Sequence, residues 1–191
     1  MPSLDDLTWP VTTERLSVRR LADADVAATW EYRRLPEVNR WLPYGPADLD
    51  AYAELFTDAD RRGRTLIVEH DGVVVGDLFV MVKDGWAQRE VAEEAQGCEG
   101  ELGWALDPAY GGRGLATEAV AALLRLCFEG LGLRRVTAGC FADNVPSWRL
   151  MERVGMRREL HAVRESLHRD LGWVDGYGYA LLADEWRAAR A

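Results

Sequence analysis

Residues 107–118 read DPAYGGRGLATE and lead straight into the apolar run AVAALLRLCF. Glycines at 111, 112 and 114 disfavour both helix and strand. They force a break between a strand, Glu101–Leu106, and a helix over Leu115–Glu129 whose residues Ala116, Val120, Leu123, Leu124, Cys127 and Phe128 share one broad apolar face. Such a loop lets backbone N–H groups approach a ligand, next to the unpaired donors of the helix start. The loop either turns the chain or cradles phosphate oxygens, and the local pattern leaves both open.

The patterns on either side limit what surrounds this unit. Glu14–Arg20 alternates as a half-buried strand, and Asp23 is positioned to cap a helix over Ala24–Arg34 that Pro36 ends. Leu49, Tyr52, Ala53, Leu55 and Phe56 predict a second helix over Asp48–Arg62, closed by Gly63. Thr65–Glu69 and Val73–Val82 are β-branched runs joined by Asp71-Gly72, a strong hairpin turn. The polar stretch from Lys83 to Gly100 reads as a long loop. After the central helix, Gly130 and Gly132 stop the chain, and Arg135–Phe141 forms a strand. Asp143 or Asn144 then caps a helix running to about Arg153, with Pro146 in its first turn. Stretches near His161–Leu167 and Tyr177–Leu182 read as a closing antiparallel pair. The order lacks the regular strand–helix alternation of a doubly wound fold and predicts a mixed α/β (α+β) sheet.

At 191 residues, with 48% hydrophobic and 29% charged side chains, the chain suits one globular domain over 1–191. Lys and Arg number 23 against 32 Asp and Glu, a net charge of −9, which disfavours nucleic acid. The excess serves solubility or attracts a cationic partner. The N-terminus lacks the pattern of a signal peptide, and no run reaches membrane-spanning length, so a cytoplasmic protein without a membrane partner is expected. Cys98, Cys127 and Cys140 are odd in number and widely spaced, as reduced thiols are, and no His or Cys spacing predicts a metal.

A P-loop requires Gly-Lys-Ser/Thr where this chain has Gly114-Leu115-Ala116, and a dinucleotide fingerprint requires a third glycine where Thr117 stands. Instead GELGWALDPAYGGRGLATEAVAALL, followed by FADNVPSWRLMERVGM, resembles the coenzyme-A site of the GNAT acyltransferase superfamily. The likeness is greatest to the branch of ribosomal-protein N-terminal acetyltransferases. It implies a mostly antiparallel, seven-stranded GNAT-like sheet flanked by about four helices, with acetyl-CoA as co-substrate and an amine acceptor that includes protein N-termini. A homodimer is compatible with it.

The family's loop pattern, Gln/Arg-x-x-Gly-x-Gly/Ala, falls on Gly111–Ala116 and departs at its first position, Gly111. By resemblance, Leu106, Gly111, Gly112, Arg113, Gly114, Leu115, Ala116 and Thr117 bind the cofactor, with Asn144 and Ser147 holding it from the other side. Backbone N–H groups near Ala105 or Leu106 polarise the thioester carbonyl. Many members protonate the leaving thiolate from a tyrosine seven residues after the asparagine; here that position is Met151. Ser147, which matches a serine of the ribosomal-protein branch, is the candidate instead, although a first-turn serine also supports a helix cap. Glu165 and Glu101 are candidate bases, and Glu118 is expected to favour the helix N-terminus. Trp30, Tyr32, Trp41 and Tyr44, with Trp86 and the EVAEE stretch, are either core or the frame of a cleft for cationic amines. A non-catalytic acyl-CoA-binding module is the alternative reading.

Overall fold

The computed structural model describes residues 3–190 and separates into two compact units. One comprises residues 8–79 and 104–122; the other comprises 3–7, 80–103 and 123–190.

In the first unit, β1 (Val11–Thr12), β2 (Leu16–Arg20), β3 (Thr65–His70) and the start of β4 (Val73–Lys83) form an antiparallel run, with Val11 opposite Val18, Val18 opposite Val68 and Leu66 opposite Leu78. Strand β2 buries Leu16 and Val18 and turns Ser17 and Arg19 away, as its alternation predicts. Strand β3 is covered on both faces, and Leu66, Ile67 and Val68 are fully buried. Asp71 and Gly72 both take positive φ, 51° and 76°, the requirement of a two-residue hairpin turn with the right twist.

Four helices belong to this unit: α1 (Asp25–Arg33), α2 (Pro36–Asn39), α3 (Leu49–Glu54) and α4 (Ala59–Arg64). Helix α1 is tied to β4 through buried polar groups. The Asp77 carboxylate accepts from the Tyr32 hydroxyl at 2.6 Å and from Arg33 Nε at 2.8 Å. The one helix expected over Asp48–Arg62 is two. Asp58 stands in extended conformation and its carboxylate accepts from the Asp60 N–H at 2.9 Å, so a new helix starts where the apolar spacing suggested continuity, and Gly63 lies inside it. Asp23 caps nothing; it pairs with Arg62, and the Asp25 carboxylate takes the Ala22 N–H.

In the second unit, the start of β5 (Glu99–Leu106) pairs parallel with β6 (Arg135–Phe141), Glu99 opposite Arg135. Strand β6 pairs antiparallel with β8 (Gly172–Leu182), and β8 with β7 (Arg157–His168). The closing strands are longer than expected and leave a connection of only residues 169–171. Helix α6 (Val145–Arg153) buries Leu150 and Met151, and its Glu152 accepts from the Tyr179 hydroxyl of β8. Helix α7 (Ala183–Ala188), absent from the sequence reading, sets Trp186 against Phe128 at 5.4 Å. The stretch from Lys83 to Gly100 holds a short 3₁₀ helix, Arg89–Ala95.

Helix α5 (Leu115–Arg125) starts in the first unit, and the expected continuation to Glu129 is a π-helical turn over Leu126–Gly130. The strand order is β1-β2-β3-β4-β5-β6-β8-β7. This is a mixed, mostly antiparallel sheet of eight strands rather than the seven expected, because β1 is too short, at two residues, to leave a periodic signal. Seven α-helices lie among the described residues instead of about four, and α2, α3, α4 and α7 have six residues or fewer.

Candidate active site

The glycine loop belongs to the first unit. The Asp107 N–H donates to the Val75 carbonyl at 2.9 Å, and the Asp107 carboxylate accepts from the Ala109 N–H, which folds Pro108–Tyr110 into a single 3₁₀ turn. Gly111 closes that turn by donating to the Pro108 carbonyl at 2.9 Å. A Cβ at position 111 would stand 2.9 Å from that same oxygen, so any side chain there would force this turn to shift. Gly112 and Gly114 follow at φ of 72° and 78°, a region open to glycine and costly for other residues.

Helix α5 makes its first bond from the Glu118 N–H to the Gly114 carbonyl. Among the described residues, no protein atom accepts from the N–H groups of Gly112, Gly114, Leu115 or Ala116. Gly111–Gly114 are exposed, and a Cβ added at Gly112 would meet no atom within 4 Å. Unpaired donors, open space and the positive end of a helix dipole together suit phosphate oxygens. Leu106, half-buried, ends β5 just before the loop, and Thr117 is half-buried in the first turn of α5.

Glu118 does more than favour the helix N-terminus. Its carboxylate accepts from the Thr13 hydroxyl at 2.6 Å, from the Arg15 N–H at 2.9 Å and from Arg15 Nε at 2.7 Å. Partial burial raises its pKa, and these three hydrogen bonds outweigh that effect and hold the carboxyl below its ordinary value. The sequence carries no local signal that marks Thr13 or Arg15. They lie over 100 residues from their partner, and only a contact across the fold reveals them.

The other candidates lie in the second unit. Asn144 occupies the N-cap position of α6, yet its side chain caps no helix N–H. One turn on, Ser147 donates its backbone N–H to the Asn144 carbonyl at 3.1 Å, so these two are brought together. The Ser147 hydroxyl bonds the Cys140 thiol; burial pushes that thiol up to about 11, and the bond from Ser147 pulls the other way. Glu101 is exposed on β5 and pairs with Lys83 at 3.2 Å.

Glu165 is exposed on β7, within an irregularity between Ala162 and Ser166, and accepts from the Ser166 hydroxyl. Arg164, at φ 49°, donates its N–H to Asp175, whose other oxygen lies 2.6 Å from His161 Nε2. No contact joins Glu101, Glu165 and Ser147 directly among the described residues. Met151 is fully buried in the core and offers no donor.

The aromatic residues divide. Tyr32 is core and Trp30 stacks on Tyr52 at 5.3 Å, whereas Tyr44 is exposed beneath Arg61. Trp86, in the second unit, is 93% exposed. Cys127 is buried and its thiol is pushed up to about 12. Among the described residues no group of three or more His, Cys, Asp and Glu is disposed to hold a metal ion, and no helix is long and apolar enough to cross a membrane.

Comparison with known proteins decides the family. The family model described as "Acetyltransferase (GNAT) domain" matches residues 15–157, which spans the glycine loop, Asn144 and Ser147. The chain belongs to the GNAT acetyltransferase family. Over 179 residues the GNAT chain is 29% identical to the uncharacterized N-acetyltransferase YnaD of Bacillus subtilis (strain 168), covering 92% of this chain and 98% of that one. A GNAT acetyltransferase structure from Bacillus anthracis matches with TM-score 0.76 and 29% identity, over 92% of this chain and 99% of that chain. Mycobacterium smegmatis RimJ in complex with CoA-disulfide matches with TM-score 0.70 and 25% identity, over 95% and 96%. Acetyl transfer from acetyl-CoA is the activity of the family.

Proposed function

We propose that this GNAT protein moves an acetyl group from acetyl-CoA to a primary amine by direct transfer, and that residues 1–191 serve as one acetyltransferase domain. The family match across parts of both units supports the single-domain reading. The observation that carries the enzymatic reading is the run of N–H donors at Gly112, Gly114, Leu115 and Ala116 from which no protein atom accepts, at the start of α5 and with open space beside Gly112.

In this reading those amides, with Arg113 and Thr117, hold the pyrophosphate, and Gly111 shapes the turn that presents them. The backbone of β5 from Gly103 to Leu106 binds the pantetheine arm, and Asn144 binds it through a side chain that no helix N–H occupies. Bound acetyl-CoA supplies an acetyl thioester. A backbone N–H near Ala105 or Leu106 polarises its carbonyl, as preorganised donors do where negative charge develops. Ser147, in the first turn of α6, directs its hydroxyl at the departing sulfur and supplies its proton. Glu165 or Glu101, both exposed, takes the proton of the ammonium directly or through water.

A covalent detour through cysteine is disfavoured, because the Cys127 and Cys140 thiols are pushed up to about 12 and about 11 and the thiolate is the nucleophile. The net charge of −9 favours a cationic acceptor, and the resemblance of the glycine-loop and Asn144 motifs to ribosomal-protein N-terminal acetyltransferases supports a protein N-terminus within that class. The acceptor in this reading is a soluble amine, and the cytoplasm is the proposed place of work.

The burial of Met151, where many relatives carry a proton donor, favours one further reading, an acyl-CoA-binding module without turnover. Free-thiol release from acetyl-CoA, followed against a panel of amines that includes peptides with free N-termini, separates the two. Acceptor-dependent release is expected. Coenzyme A binding with no acceptor accelerating release would favour the module.

A further inference from the structure

Arg15 sits in the tight connection between β1 and β2, and its contacts converge on the glycine loop. Its Nε lies 2.7 Å and its Nη2 2.6 Å from Glu118 Oε2, while its own N–H donates to Glu118 Oε1. Its Nη1 donates to the Arg113 carbonyl at 2.9 Å, and its Nη2 lies 3.6 Å from where a Cβ of Gly114 would be.

The carbonyl of Arg113 and the N–H of Gly114 share one planar trans peptide and point in opposite directions. Arg15 holds that carbonyl, and so aims the Gly114 N–H away from itself. That N–H is one of the donors left without a protein partner.

The side chain of Arg113 is held in the same circuit. His70 Nδ1 lies 3.0 Å from the Arg15 carbonyl, which only accepts, so Nδ1 carries the proton. In the neutral ring Nε2 is then an acceptor, and Arg113 Nη2 donates to it at 3.1 Å. The Arg113 guanidinium lies over the Tyr110 ring, which meets His70 edge-on. The main chain and side chains of Arg15, His70 and Arg113 form a closed ring around the loop.

We propose that Arg15, fixed by Glu118, is a positioning residue that orients the Arg113–Gly114 peptide for the coenzyme-A pyrophosphate, so that cofactor grip is set from the β1–β2 connection. This rests on the cofactor reading above. It also accounts for the departure at Gly111: orientation that no side chain supplies from within the loop comes from a guanidinium in the β1–β2 connection.

The test measures coenzyme A affinity by calorimetry for the wild-type chain, Arg15→Ala, Arg15→Lys and Glu118→Gln, together with kcat/KM for S-acetylpantetheine, which lacks the pyrophosphate. Arg15→Ala should raise the coenzyme A Kd about tenfold, the scale of one lost donor to a charged group. Its kcat/KM for S-acetylpantetheine should stay at the wild-type value. Arg15→Lys, which keeps a cationic donor, should recover part of the affinity, and Glu118→Gln should fall between.

Equal loss toward both ligands would mean that Arg15 only stabilises the fold, and unchanged coenzyme A affinity in Arg15→Ala would mean that it does not orient the loop. Either result overturns the proposal. Should Arg15→Ala fail to fold, unchanged affinity in both Arg15→Lys and Glu118→Gln overturns it. A wild-type chain that does not bind coenzyme A overturns the cofactor reading, and the proposal falls with it.

Discussion

Replacing Gly112 by valine tests the glycine loop most sharply. Gly112 sits at φ 72°, where an L-residue costs about 1–2 kcal/mol and a β-branched one more. No heavy atom lies within 4 Å of the added Cβ, so crowding by the protein is not part of the cost. The loop sheds the strain by rotating the peptides on either side of residue 112, which turns away the N–H of Gly112 and, through Arg113, that of Gly114. Each is worth about 1.5 kcal/mol as a hydrogen bond to a charged group. Their joint loss corresponds to about 100-fold in Kd.

Calorimetry with coenzyme A measures the effect, and Gly112→Asn is the graded control, since asparagine enters the left-handed region at lower cost and should lose about tenfold or less. The loop is exposed, so the melting temperature should fall by no more than about 2–8 °C even if the strain is retained. A valine variant that binds coenzyme A within twofold of wild type would refute the reasoning.

Asp77→Ala leaves Arg33 and Tyr32 without their buried acceptor and should cost about 3–5 kcal/mol, toward the lower end because Arg33 keeps 22% of its side chain in solvent. Thermal unfolding should show a loss of roughly 6–20 °C, and a change under 2 °C would contradict the assigned burial. Ser147→Ala and Glu165→Gln should each lower kcat by about tenfold or more while the Kd for coenzyme A moves less than twofold; unchanged turnover in both would remove their proposed roles. With thiols pushed up to about 11 and about 12, Cys140 and Cys127 stay protonated at pH 7.5. Iodoacetamide at that pH should therefore leave both unmodified by peptide mass mapping, and rapid labelling of either would contradict the burial argument.

How much was legible follows from the range of each interaction. The β3–β4 hairpin was readable because its determinants are local: two β-branched runs and an Asp-Gly pair that tolerates positive φ at both positions. The glycine loop was readable for the same reason. Spacing misled at Asp48–Arg62, where real helical periodicity on both sides hid the restart at Asp58, a capping interaction of one side chain with one N–H. The full role of Glu118 is not legible locally, because its partners, Thr13 and Arg15, are set by tertiary packing and leave no mark near residue 118. The pairing of His161 with Asp175 likewise needs the register of β7 on β8, which the irregularity after Ala162 shifts.

The central claim, direct acetyl transfer to an amine, is tested by incubating the protein with acetyl-CoA labelled in the acetyl group and a panel of amine acceptors, then weighing protein and acceptors separately. The account predicts label on an acceptor amine, stoichiometric with thiol released, and none retained by the protein in the absence of acceptor. Label held on a cysteine and passed on from there, or thiol release indifferent to every amine, would contradict it.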